Sequence, residues 1–224
     1  MANNLVENQE ELGTKERLLA VAEKLFAERG LAATSIRDLA REAEVNVAAV
    51  NYYFGSKENL YLETLRYAFQ QTGVSSPEFQ KIIKKAEVIN TKEAAEIAIT
   101  KYIEEFLLLI LSSDQARRHA CLMSREISDP TPALDVIVQE FILPKNRALS
   151  RLIAQFQPAL ANSDKLPLYT LSIVSQCLHY HFALPIILKV LNQKEMSPDL
   201  ISRIAKHIAE FSLTALKGVN QIEV

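Results

Sequence analysis

The densest run of chemistry-bearing residues in the chain is T-S-I-R-D-L-A-R-E-A-E-V-N-V-A-A-V-N-Y-Y-F-G-S-K, residues 34–57. Asn51 carries an amide that fits an adenine edge bidentately, and Val47 and Ala48 are small apolar groups that suit a thymine methyl. Tyr52, Tyr53 and Lys57 bring two hydroxyls and a cation, groups that hold phosphate oxygens. On a helix, Val47, Ala48 and Asn51 share one side, while Val50 and Phe54 share the other and pack inward with Val45. The chemistry on offer is base-edge recognition rather than catalysis. No nucleophile–base pair, paired carboxylates or glycine-rich phosphate loop stands at a usable spacing. Cys177 and His181 are four apart, with His119 and Cys121 as distant partners, but they form no compact metal-ligand set. No metal and no cofactor are expected.

These side chains need a frame, and the flanking sequence supplies one. From Lys15 to Arg29, Leu18, Ala22, Leu25 and Phe26 recur at helical spacing, and Gly30 follows at the C′ position. Thr34 and Ser35 offer an N-cap, and Ser35 with Asp38 fits the S-x-x-D capping pattern. Ile36, Leu39, Ala40 and Ala43 then mark one short helix. Asn46 caps the next, Val47 to Phe54, which Gly55 ends. Ser56 caps a fourth helix that runs through Leu60, Leu65 and Phe69 to Gly73. Two short helices joined by a very short turn make a helix-turn-helix, whose second helix enters the major groove.

The remainder reads as helical too. The 224 residues are 49% hydrophobic, enough for a substantial core, yet hold only 5 glycines. That is about a third of the usual share, and it speaks against β-rich and Rossmann-type chains. Further helices are expected at Pro77–Ile89, Thr91–Leu111, Gln115–Ile127, Pro132–Phe156, Leu166–Leu191 and Pro198–Lys217. Pro144 and Pro185 should kink the two longest. The expectation is an all-α fold. A DNA-binding domain would occupy residues 1–56, folded from about residue 12, and a helical regulatory domain residues 57–224. The longest apolar runs are far too short for a membrane span, and the acidic start lacks a signal core, so a cytoplasmic protein with no membrane partner is expected.

Residues 15–65 resemble the TetR family of bacterial transcriptional regulators. The resemblance rests on F-A-E-R-G (26–30), T-S-I-R-D-L-A (34–40) and V-N-Y-Y-F-G-S-K-E-N-L (50–60). It implies an N-terminal three-helix DNA-binding domain and a helical ligand-binding and dimerisation domain behind it. It implies further that Arg37, Val47, Ala48 and Asn51 reach base edges, and that Thr34, Ser35, Tyr52, Tyr53 and Lys57 meet phosphates. The partners it implies are a double-stranded DNA operator, a small-molecule effector and a second copy of the chain. Two positions depart from the family pattern. Glu44 stands in the turn where the family has glycine, at a place that calls for positive φ, and Tyr53 stands where histidine is commoner. Further on, R-E-I-S-D-P-T-P-A-L (125–134) resembles the CecR-like subgroup.

Charge argues the other way. Residues 1–73 hold eight bases and eleven acids, a net −3, the reverse of the usual footprint of a DNA-binding domain. Weak non-specific binding and a shallow salt dependence follow. In the regulatory half, Tyr102, Phe106, His119, Arg125, Gln176, His179 and Tyr180 are polar or aromatic residues among apolar helical ones, as in an effector pocket. The last two long helices are apolar over a wide arc, through Leu171, Val174, Leu178, Phe182, Ile201, Ile204, Ile208, Phe211 and Leu216, and a homodimeric four-helix bundle would bury them. The reading is a ligand-responsive, homodimeric repressor of a palindromic operator. A helical adaptor without DNA binding and a small helical enzyme are the alternatives.

Overall fold

The computed structural model describes residues 2–74 and 76–221, with side chains for 13–71, 76–113 and 116–219. Among these residues there is no strand. The helices are α1 (Ala2–Ala33), α2 (Ile36–Glu42), α3 (Val47–Phe54), α4 (Lys57–Val74), α5 (Pro77–Lys85), α6 (Lys92–Leu111), α7 (Asp114–Ser128), α8 (Ala133–Ile137), α9 (Leu143–Phe156), α10 (Leu166–Phe182), α11 (Leu184–Val190) and α12 (Pro198–Lys217). Side-chain caps start them as the sequence requires. Ser76, Thr91 and Ser197 accept from the amides of Phe79, Ala94 and Leu200, each at 3.2 Å, and prolines follow Ser76 and Ser197 directly.

Three elements differ from expectation. α1 runs through Gly13 and begins at Ala2, and its only non-helical φ/ψ is at Gly30, φ +80°. The stretch expected as one helix from Pro132 is α8, a π-helical turn at Val138–Ile142 and α9. The extra residue per turn falls just before Pro144, whose missing N–H and ring bulk disfavour a regular ladder there. The helix expected over Leu166–Leu191 breaks at Ala183, two residues before Pro185, and α10 and α11 meet at 85°. No single described helix is long and apolar enough to cross a membrane; that bent pair passes by length and composition only.

The chain forms two compact units, residues 1–71 with 118–137, and residues 72–117 with 138–224. α7 therefore begins in the second unit and ends in the first. The first unit buries Leu18, Ala22, Leu25 and Phe26 of α1 together with Leu39, Val50, Leu60 and Leu65, and the Phe26 and Tyr61 rings meet edge to face at 5.1 Å. Leu122, Ala133 and Ile137 are buried as well. In the second unit, α6 packs mainly on α9 and α12. Ile99, Ile103, Leu107, Leu149, Leu152, Phe156, Ile201 and Ile208 form its apolar centre.

Candidate nucleic-acid interface

The helix-turn-helix is assembled from short-range hydrogen bonds. The Ser35 hydroxyl accepts from the Asp38 amide at 3.1 Å and donates to the Asp38 carboxylate at 2.6 Å; Arg41 donates to the same carboxylate at 2.7 Å. These contacts, the Ser35 hydrogen bond foremost, hold the Asp38 carboxyl below its usual range. After α2 the turn is closed by the Glu44 amide on Arg41 O and the Val45 amide on Ala40 O, at 3.2 and 2.9 Å. Glu44 has φ +53°, as its place in the turn demands. A side chain in this conformation costs about 1 kcal/mol that glycine would avoid. Asn46 Oδ1 then accepts from the Ala48 amide at 2.9 Å and starts α3. Gly55, φ +73°, ends it with its amide on Asn51 O at 2.9 Å.

α3 buries Val50 and Phe54 and exposes Val47, Ala48, Asn51 and Tyr52. Tyr52 is 75% exposed and lies edge-on to the half-buried Tyr53 at 5.2 Å. Ser35 and Arg37 are exposed on the same helix-turn-helix. Thr34 is not on that surface. It is 1% exposed, and its hydroxyl turns inward to donate to Gly30 O at 2.8 Å. Lys57 is half-buried, and its ammonium donates to Leu31 O at 2.9 Å. Both residues thereby fill hydrogen-bonding positions on carbonyls that α1 leaves open at its C-terminal end. Other bases of this unit have acidic neighbours: Lys24 with Glu42 at 3.6 Å, Arg41 with Asp38 and Arg66 with Glu63 at 2.7 Å.

The seven residues read as an effector pocket fall in three places. In the second unit, the fully buried Tyr102 packs with Phe106 and Phe79, Phe79 to Tyr102 at 4.9 Å. Burial raises the Tyr102 phenol above its ordinary range, and its hydroxyl donates to Lys145 O at 3.4 Å. Burial also lowers the Lys145 ammonium to about 8. Gln176, His179 and Tyr180 line an open cleft of about 550 Å³ between α10 and α12, with His207 and Phe211 opposite. His119 and Arg125 belong to the first unit; the His119 ring stands edge-on to Phe69 at 4.1 Å. Among the described residues, no three His, Cys, Asp or Glu side chains converge as metal ligands. Burial pushes the Cys177 thiol up to about 12 and lowers the His181 imidazole.

Sequence spacing gives no reason to pair Tyr61 with Glu126. Glu126 is 0% exposed, and the Tyr61 hydroxyl donates to it at 2.8 Å from 65 positions away. Only the folded chain relates the two.

A capped helix-turn-helix with an exposed second helix, joined to an α-helical body, defines a DNA-binding transcriptional regulator. Residues 18–64 match the tetR family of bacterial regulatory proteins, and residues 95–216 match the C-terminal domain of the HTH-type transcriptional dual regulator CecR. The chain belongs to the TetR family of transcriptional regulators, and it is not an enzyme. CecR of Shigella flexneri is 29% identical over 178 residues, 78% of each chain. Among solved structures, HlyIIR, a hemolysin II transcriptional regulator, superposes with a TM-score of 0.54 at 25% identity, over 88% of this chain and 97% of that one. PfmR, a TetR-family regulator from Thermus thermophilus, shares the fold, with a TM-score of 0.61 at 18% identity over 88% and 94% of the two chains.

Proposed function

We propose that the protein is a homodimeric, ligand-responsive repressor that binds a palindromic operator in the cytoplasm and leaves it when a small molecule enters the second unit. One observation carries the DNA reading: α3 turns Val47, Ala48 and Asn51 outward from a helix whose opposite face is locked into the core. Asn51 reads an adenine, and Val47 and Ala48 meet thymine methyls, with Arg37 reaching a further base edge. Ser35, Tyr52 and Tyr53 hold phosphates. Lys57 keeps two ammonium protons beyond its bond to Leu31 O and adds a phosphate contact; the Thr34 hydroxyl, directed inward, supports the turn instead. Tyr102 and Phe106 belong to the part of the second unit that recognises the effector.

Dimerisation is supported by exposed apolar residues that fall on one side of α10, with one more on α12. Leu168, Leu171 and Phe182 on α10 and Phe211 on α12 are exposed, Leu168 and Phe211 by about 62% and 61%. The cleft lined by Gln176, His179 and Tyr180 shares Phe211 with this surface, so the second copy covers it. Two recognition helices would then stand about 34–36 Å apart, one DNA turn.

The test is selection of bound duplexes from a random pool, followed by a reporter driven by the recovered site. A palindrome with half-sites one turn apart and a reporter silenced by the protein are expected. A single unpaired half-site would remove the dimer. Reporter activation would remove the repressor. Failure to retain any duplex at low salt would leave the helical adaptor as the better reading.

A further inference from the structure

Arg125 and Glu126 are consecutive on α7, in the motif R-E-I-S-D-P-T-P, and hold two different helices of the first unit. Arg125 Nε donates to Ala27 O at 3.0 Å and Nη2 to Glu28 O at 2.7 Å. Both carbonyls lie just before the Gly30 kink. Arg125 Nη1 closes over that kink so tightly that a Cβ on Gly30 would stand 3.1 Å from it. Beyond the kink, Gly30 O accepts from Thr34 and Leu31 O from Lys57. Side chains from α7, from the entry to α2 and from α4 thus hold four carbonyl positions around the kink, 27, 28, 30 and 31. A helix end leaves such carbonyls without intrahelical partners; here their partners decide the direction in which the chain leaves α1 for Ser35 and α2.

Glu126 fixes the other end of the helix-turn-helix. Its Oε2 accepts from Tyr61 on α4 at 2.8 Å, and its Oε1 accepts from the amide and the hydroxyl of Thr131 at 2.7 and 2.8 Å. A fully buried carboxylate is tolerated only with its lone pairs satisfied, so this arrangement holds together or fails as a set. α1 enters the helix-turn-helix and α4 leaves it; α7 binds both. α7 is also the helix by which the chain passes from the second unit into the first.

We propose that Arg125 and Glu126 are positioning residues for DNA binding, a latch that sets the presentation of α3 without touching DNA. The proposal rests on the reading of α3 as the recognition helix, and it assigns Arg125 a role other than effector contact.

The test uses the full chain and the duplex that the wild type selects. Arg125→Gln should weaken binding to it at least about tenfold, the equivalent of one charge-assisted hydrogen bond. Base preference and the slope of log Kd against log salt should stay as in the wild type, because no phosphate contact is lost. Arg125→Lys, able to reach one of the two carbonyls, should recover part of the loss. Amide hydrogen exchange should quicken at residues 31–35 and not in α12. Tyr61→Phe, which deletes a single hydroxyl, should weaken binding in the same manner and carries the test if Arg125→Gln does not fold.

Wild-type affinity in both Arg125→Gln and Tyr61→Phe would overturn the latch. So would a salt slope about one unit shallower in Arg125→Gln, the mark of a direct phosphate contact. A wild type that retains no duplex at all would remove the recognition-helix reading, and the latch with it.

Discussion

On α3 the exposed side chains are short or carry an amide or hydroxyl, and every turn that leads to them is closed by a side-chain or main-chain hydrogen bond. On α10 and α12 the exposed side chains include four broad apolar ones, Leu168, Leu171, Phe182 and Phe211, and the cleft between the helices is open. A base edge is read through two or three directed contacts, so its reader must be held in place. A second copy of the chain is bound through area, which tolerates small displacements. The acidic balance of the first unit fits this division. With Lys24, Arg41, Arg66 and Arg118 beside carboxylates, it is short of diffuse electrostatic attraction and depends on geometry.

The largest expected effect lies on the apolar side of the comparison. Phe211→Glu should convert the dimer to a monomer in sedimentation. It should also lower affinity for the palindrome by about 10²–10⁴-fold, through loss of the second half-site. A Phe211→Glu protein that stays dimeric would place the interface elsewhere. On the directed side, Asn51→Ala should cost about 1–3 kcal/mol in operator binding and relax preference at one base pair. Uniform weakening across all sequences would mean that Asn51 meets the backbone instead.

Within the second unit, Lys145 tests how far an apolar bundle is limited by one charge. Burial lowers its pKa to about 8 from an ordinary 10.5. The folded state therefore carries the full desolvation cost below pH 8 and none above about pH 10.5, where the amine is neutral in both states. Lys145→Met should raise unfolding stability by about 1–2 kcal/mol at pH 7, allowing for partial exposure, and the gain should fade between pH 8 and 10.5. A gain independent of pH would point to packing rather than charge. The smallest effect belongs to the turn of the first unit. Glu44→Gly should add about 0.5–1 kcal/mol of stability by relieving a positive φ. Denaturant unfolding would show it, and a loss of stability would mean that the Glu44 side chain holds something.

Local sequence made much of this legible. Ser35 with Asp38, Asn46 and Ser56 each act within a few residues of themselves, so these caps could be read in order along the chain. Pro144 and Pro185 marked the irregular points of two long helices, since a missing N–H has a local consequence. The sharper difference lies with side chains whose partners are remote. Thr34 and Ser35 look alike in sequence, yet one hydroxyl faces α1 and the other caps α2. Arg125 looked like a polar group among effector-contacting residues because its acceptors, Ala27 O and Glu28 O, lie 98 and 97 positions away.

Local residue patterns suffice for an all-α chain, the helix-turn-helix at residues 34–57, the outward face of α3 and the strained place of Glu44. Periodicity, capping and φ preference act over one or two turns of helix, and a reader of the chain sees all of them. Tertiary structure alone decided that α7 is divided between the units and that Arg125 and Glu126 grip α1 and α4. It also decided that the residues read as one pocket lie in three places. Hydrogen bonds between positions tens of residues apart exist only after the apolar cores have brought their helices together, and spacing along the chain carries no record of them.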